Sequence, residues 1–232
     1  MAALTKESVL ARARECGFDL VGFASTDRLD ATLPAEDRPG AISTTLKTLL
    51  VLGKHIPNGV SGALDRRQKH FSCGQLAQVM ETAGRELGYW LERSGAMAAL
   101  LPALFVDFTR ETSAAGNTPA GQGSRLLRAA AVEAGLGTWG LNNAVLTPQY
   151  GPRVYFGGLL TNLALEHDSP LAPELCLGLE ACGRCAAICP EKAIPLRAAA
   201  GADLAAVRGI DAAACLKSAH PFGPDAFVDH FK

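Results

Sequence analysis

The sequence predicts a mixed α/β (α+β) fold in which strands and helices alternate, followed by a segment built around cysteines. Three observations carry this reading. Thr48 to Gly53 (Thr-Leu-Leu-Val-Leu-Gly) is a continuous apolar run of strand length, the pattern of a central strand covered on both faces. Between Gln75 and Ser94, Leu76, Val79, Met80, Ala83, Leu87, Trp90 and Leu91 recur at three- and four-residue steps, the pattern of one helix face. Four of the seven cysteines fall between Cys176 and Cys189.

Taken in order, Thr5 is placed to cap a helix whose face carries Val9, Ala13 and Cys16, and Gly17 closes it. Asp19 to Ala24 reads as a buried strand. Residues 25–45, polar and broken by Pro34, Pro39 and Gly40, read as loop. After Thr48–Gly53 a second loop is expected, holding Gly59, Gly62 and the basic cluster Arg66-Arg67-Gln68-Lys69-His70. That cluster reads as a solvated face or as a contact to an anionic cofactor tail. Cys73 reads as a packed thiol. The long helix ends at Gly95. A strand is expected over Ala103 to Phe108, then a loop over 109–123, long enough to suggest function.

Ser124 is expected to cap a helix that turns Leu126, Leu127, Ala130, Ala131 and Ala134 inward. Gly135-Leu-Gly-Thr-Trp-Gly140-Leu-Asn-Asn143 comes next. Its three glycines allow close backbone approach, either to a flat ligand or between a helix and a strand. Ala144–Thr147 and Arg153–Leu163 read as strands joined by the turn at Pro148–Gly151. Glu166–Pro173 is a linker into the cysteines. Leu204–Cys215 reads as partly helical, and residues 219–224 as irregular.

Composition narrows the function. The 232 residues carry 22 Lys+Arg against 23 Asp+Glu, a net charge of −1 that offers no basic footprint for nucleic acid. No apolar run approaches the roughly 18 residues of a membrane helix. The N-terminal residues lack a signal-peptide pattern, and an odd number of cysteines, mostly clustered, points to a reducing cytoplasm.

The cysteine run is C-x5-C-x2-C-x3-C-P, from Cys176 through Cys182, Cys185 and Cys189 to Pro190. Its second half matches the bacterial ferredoxin run residue for residue, and Cys176 stands in the first position behind a longer loop. Gly183 lets the backbone approach a cluster, and Pro190 suits a helix start. A zinc site ordinarily needs a second C-x2-C pair or histidines at fixed offsets, and neither is present. An iron–sulfur cluster is therefore the leading reading, ahead of zinc or packed thiols.

Several stretches then line up in order with a known family. Ala134-Gly-Leu-Gly-Thr-Trp-Gly-Leu-Asn-Asn143 resembles the Ala-Gly-Leu-Gly-x-x-Gly-x-Asn loop of the epoxyqueuosine reductase and reductive dehalogenase-like superfamily. Thr147–Gly157, Leu160–Leu165 and the Cys-Pro run resemble the segments that come after that loop in those enzymes, and Ala13–Ala24 is similar to their N-terminal part. The resemblance implies a nitroreductase-like cofactor-binding domain over residues 1–168 and a ferredoxin-like cluster segment over 169–232. It implies one [4Fe–4S] cluster feeding electrons to a corrinoid (cobalamin), with flavin as the alternative cofactor. A corrinoid-binding or chaperone protein with a structural cluster is a third reading.

Two departures shape the expectation. The larger enzymes hold two clusters, whereas Cys176, Cys182, Cys185, Cys189 and Cys215 give ligands for one. Either Cys189 or Cys215 supplies the fourth thiolate. The queuosine enzymes also place an acid in Asp-x-x-Pro-x-x-Glu-Arg before the glycine loop. The ungapped equivalent is Gly121, and Asp107 is the nearest substitute, so tRNA modification is not expected. Gly135, Gly137, Gly140, Asn142, Asn143, Tyr150, Arg153 and Tyr155 are the candidate cofactor contacts. A ferredoxin or flavodoxin is the expected electron donor, a small molecule or corrinoid protein the expected substrate, and a homodimer one open assembly state.

Overall fold

The structure is a computed structural model that describes residues 4–101, 122–194, 210, 211 and 214. It opens on α1 (Lys6–Glu15), started by a capping box in which the Thr5 hydroxyl accepts from the Ser8 N–H and the Ser8 hydroxyl accepts from the Thr5 N–H. Gly17 leaves the helix at φ +93°, a conformation that disfavours any side chain. The chain then enters β1 (Leu20–Ser25), α2 (Thr26–Thr32) and β2 (Thr48–His55). Next come α3 (Asn58–Gly62), α4 (Arg66–Arg93), β3 (Ala98–Leu101) and α5 (Gln122–Glu133). A short hairpin of β4 (Thr138–Trp139) and β5 (Val145–Leu146) leads to β6 (Val154–Thr161). The cysteine run holds α6 (Gly178–Ala181) and α7 (Arg184–Ile188).

The main sheet has strand order β1-β2-β6-β3, and every pairing is antiparallel. Leu50 lies opposite Phe23 on one side and Leu159 on the other. Successive residues of a strand point to opposite faces. Leu49 and Val51 of β2 accordingly join Leu29, Leu127, Ala130 and Leu160 beneath α2 and α5. Leu50 and Leu52 join Val9, Phe23, Leu87 and Leu159 beneath α1 and α4. Two helical layers on one sheet explain why β2 reads as unbroken apolar sequence although the sheet is antiparallel. At about 25 cal/mol per Å² of apolar surface, each fully buried Leu contributes roughly 2 kcal/mol.

The structure corrects several expectations. Residues 25–45 are not simply loop, because the Ser25 hydroxyl accepts from the Arg28 N–H and starts α2, and 3₁₀ turns follow at Ala35–Asp37 and Pro39–Ala41. The prolines lie beyond the helix they were expected to prevent. The long helix begins at Arg66, where Asp65 accepts from the Arg67 N–H, so the basic cluster lies in its first turns and not in a loop. Those turns carry polar side chains, which hides them from a search for apolar periodicity. Val79 is exposed, one 100° step off the face that buries Ala77, Met80, Leu87 and Leu91. The helix after the long loop starts at Gln122, two residues before Ser124, which is therefore not its cap.

The expected strand over 103–108, Asp107, most of the 109–123 loop and Cys215 lie outside the described residues, as does most of 204–224. β3 precedes that stretch, and Pro102 follows it directly. Among the described residues no helix is long and apolar enough to cross a membrane.

Candidate cofactor and cluster site

The glycine-rich stretch is a folded connection between α5 and the β4–β5 hairpin. Gly135 has φ +66°, and a Cβ there would stand 2.3 Å from the Ser169 carbonyl oxygen of the linker. A Cβ on Gly137 would stand 2.3 Å from the Leu146 carbonyl oxygen, across the hairpin. The Gly140 N–H donates to the Ala144 carbonyl (2.8 Å) and closes the turn, with Asn143 at φ +58°. Gly135 and Gly137 are thus required by the chain's own packing.

Beside this connection lies a cavity of about 320 Å³. Leu127, Val145, Val154 and Phe156 form its apolar wall. Arg128, Asn142, Asn143 and Tyr155 supply its polar groups. Three of the eight expected contacts, Asn142, Asn143 and Tyr155, therefore line one space. Tyr150 stacks on His55 instead, with ring centroids 5.0 Å apart. Arg153 is exposed in the turn before β6 and is not among the lining residues. Burial, and next the neighbouring Cys73 thiol, push the Tyr155 hydroxyl up to about 12, so it keeps its proton at neutral pH. Cys73, expected as a packed thiol, lies beside that hydroxyl.

Sequence reasoning missed Arg128 and the group behind it. The guanidinium donates from Nη1 to the Asn143 carbonyl (2.8 Å) and lies 5.9 Å from the centre of the Trp139 ring. Arg125, one turn earlier on α5, reaches Asp37 at 3.2 Å, and the Asp37 side chain is fully buried. Burial, then the charge of Arg125, press the Arg128 guanidinium below its ordinary value, and Asp37 opposes them. Guanidinium pKa values are high enough that it stays charged. A visible signal existed: an arginine directly after Leu126-Leu127 and before three alanines interrupts the apolar run from Leu126 to Val132. Asp37 gave none, because nothing in a polar stretch marks a carboxylate that folds inward.

The cysteine run is tied to the glycine-rich connection. The Leu175 N–H donates to Thr138 Oγ1 (2.9 Å), which places the start of the run against β4, between Gly137 and Gly140. Farther back, Asp168 anchors the linker to β1: its N–H donates to the Phe23 carbonyl (2.8 Å), its Oδ2 accepts from the Phe23 N–H (2.9 Å), and Lys6 reaches Oδ1 at 2.7 Å. Within the run, Gly183 sits at φ +57° before α7. The backbone around Cys189 favours its charged form. Desolvation raises its thiol, but the backbone N–H groups of Ala193, Ile194, Glu191 and Lys192 outweigh it and lower the net value. Among the described residues, no three Cys, His, Asp or Glu side chains close to metal-ligand distance. Cys182 is exposed, and Cys176, Cys185 and Cys189 are half-buried free thiols.

Comparison with known proteins agrees with this architecture. No family profile matches the chain. The epoxyqueuosine reductase of Listeria monocytogenes is 42% identical over 62 residues, which is 27% of this chain and 15% of that protein. The tetrachloroethene reductive dehalogenase of Sulfurospirillum multivorans is 44% identical over 67 residues, 28% of this chain and 13% of that protein. The solved epoxyqueuosine reductase from Streptococcus thermophilus superposes with TM-score 0.58 at 20% identity, covering 91% of this chain and 56% of that one. A catabolic reductive dehalogenase in complex with 3-bromo-4-hydroxybenzoic acid superposes with TM-score 0.56 at 19% identity, covering 83% of this chain and 26% of that one.

The chain is similar to epoxyqueuosine reductases and to reductive dehalogenases, in sequence over about a quarter of its length and in fold over most of it. It matches less than a fifth of the length of these curated relatives and about half or a quarter of the solved chains. The likeness to these solved structures is one of fold.

Proposed function

We propose that this chain is an iron–sulfur oxidoreductase in which one [4Fe–4S] cluster passes electrons to a corrinoid. Cys176, Cys182 and Cys185 supply three thiolates, and the fourth comes from Cys189 or Cys215. Residues 1–168 act as the cofactor domain and 169–232 as the cluster segment. The observation that carries the reading is the bond from Leu175 to Thr138, which joins the first residue before the cysteine run to the connection beside the cavity. It favours a short path between a cluster on that run and a cofactor against β4 and β5.

The donor set suits the cluster: four thiols at ferredoxin spacing, a backbone turn at Gly183 without a Cβ, and four N–H groups that favour the charged form of Cys189. When bound, a corrinoid supplies a low-potential metal centre for reduction, and the protein supplies position and electrostatics. Asn142 and Asn143 offer amide donors and acceptors. Tyr155 holds a proton at its hydroxyl, and Leu127, Val154 and Phe156 exclude water. The B12-dependent dehalogenation named for one structural neighbour, at TM-score 0.56 and 20% identity, is consistent with this assignment. A ferredoxin or flavodoxin in the cytoplasm would be a suitable electron donor.

Anaerobic purification followed by iron, sulfide and zinc analysis tests the cluster. The reading requires about four irons and four sulfides per chain. Zinc alone, or about eight irons, overturns it.

A further inference from the structure

We propose, resting on the corrinoid reading above, that His55 supplies an axial nitrogen ligand to the corrinoid cobalt through Nε2, and that Asp19 is the positioning residue that holds the ring for it.

The imidazole is held on one nitrogen and open on the other. Asp19 Oδ2 accepts from the His55 backbone N–H (2.9 Å) and lies 2.8 Å from ring Nδ1. Asp19 Oδ1 lies 3.3 Å from Lys54 Nζ. Burial raises the Asp19 carboxyl, but the hydrogen bonds from His55 and the Lys54 charge outweigh it, so at neutral pH it is ionised and can only accept. The shared proton therefore belongs to Nδ1, and in the neutral ring the Nε2 lone pair is left for another partner. Among the described residues Nε2 has none, and the His55 side chain is 43% exposed. The Tyr150 ring, stacked at 5.0 Å and 15°, fixes the imidazole plane.

A carboxylate on one ring nitrogen and a free lone pair on the other is the arrangement of a metal-ligating histidine. The carboxylate sets the tautomer and the ring orientation, and it makes the ligating nitrogen more basic. Asp19 and Tyr150 hold the ring in place beforehand, so little side-chain freedom is lost when a ligand arrives.

The strand places His55 on the cavity face. Leu49 and Val51 of β2 pack on the α5 side of the sheet, and by alternation Gly53 and His55 continue that row. A Cβ on Gly53 would stand 3.3 Å from Val154 Cγ1 and 3.4 Å from Phe156 Cε1, two side chains of the cavity wall. His55 is paired with Val154 itself. The Ile56 N–H donates to the Arg153 carbonyl (2.9 Å), so the pairing holds beyond the end of the strand. His55 therefore stands at the Val154 end of the cavity, on the side of the sheet where Leu136 and Trp139 of the glycine-rich connection pack.

The test is electron paramagnetic resonance of cob(II)alamin bound to the anaerobic full chain, prepared with natural histidine and with ¹⁵N-histidine. A nitrogen bound axially to cobalt splits each cobalt hyperfine line, into a triplet for ¹⁴N and a doublet for ¹⁵N. The base carried by cobalamin stays ¹⁴N in both samples, so doublets identify a histidine of the protein. The labelled parent is expected to show doublets. His55→Ala is expected to lose them, to bind cobalamin at least tenfold more weakly, and to regain a triplet when free imidazole is added. Asp19→Asn keeps the ring without its charged partner and should bind about tenfold more weakly, the low end of the effect of such partners. Circular dichroism and melting of each variant separate misfolding from lost ligation, and the labelled parent's spectrum needs no variant. Triplets or unsplit lines in the labelled parent overturn the proposal and leave the electron-transfer reading standing. Doublets that persist in His55→Ala also overturn it, assigning the ligand to another histidine. A parent that binds no cobalamin overturns the proposal and the corrinoid reading together.

Discussion

Replacing Gly137 with alanine separates two explanations of the glycine-rich stretch. If the glycine exists for a ligand, the variant folds normally and loses binding. If it exists for the hairpin, the variant loses stability. The structure favours the second. The added Cβ would sit 2.3 Å from the Leu146 carbonyl oxygen and 2.7 Å from Val145 Cγ1, where ordinary contact begins at 3.4 Å. The oxygen belongs to a backbone paired with Thr138 and cannot rotate aside. The hairpin must open by about 1 Å, a shift in the upper part of the overpacking range, which costs about 2–3 kcal/mol. For a domain of this size that lowers Tm by about 4–12 °C. Gly74→Ala is the control, because nothing lies within 4 Å of its added Cβ inside α4, and it should gain about 0.5–1 kcal/mol. Differential scanning calorimetry of both variants reads the result. A Gly137→Ala melt within 1 °C of the parent would refute the packing argument.

Three other variants test separate parts of the structure. Cys182→Ser should lose the brown chromophore and most of the iron measured in the parent, while the melt of the sheet domain changes little; full iron retention would exclude Cys182 as a ligand. Asp37→Asn removes the buried carboxylate beside partly exposed Arg125 and should destabilise by about 3 kcal/mol in urea unfolding, whereas a loss under about 0.5 kcal/mol would show the pair to be solvated. Asp19 is raised by burial, but the His55 backbone and ring N–H groups and Lys54 outweigh this and lower it overall. Its contribution to stability is therefore complete above the unfolded carboxylate value of about 3.9 and disappears as pH falls through the lower folded value. The stability gap between the parent and Asp19→Asn should shrink over that acidic range; a gap constant from pH 7 to pH 2 would contradict the assignment.

The parts of the fold legible in the sequence were those where one force acts alone. β2 was legible because helices on both faces demand apolar side chains at every position, and α5 because its stripe of Leu126, Leu127, Ala130, Ala131 and Ala134 is wholly buried. α2 and the first turns of α4 were not, because both are polar helices started by caps at Ser25 and Asp65, and periodicity says nothing there. Of the candidate contacts, Asn142, Asn143 and Tyr155 line one cavity, and the sequence marked them by the glycine-rich loop and the strand after it. Gly135 and Gly137 were marked as well, but they make room for the protein's own carbonyls. Arg125 and Asp37 come together only through the packing of α5 against a 3₁₀ turn, and no local pattern records that contact.

The central claim is electron transfer from a cluster on the cysteine run to a corrinoid. The most direct measurement mixes the reduced, anaerobic full chain with cobalamin and follows the cobalamin absorption spectrum, for the parent and for Cys182→Ser. The account predicts a change to the reduced cobalamin spectrum with the parent and none with the cluster-deficient variant once free reductant is removed. An unchanged spectrum with an iron-loaded parent, or equal reduction by both proteins, would contradict it.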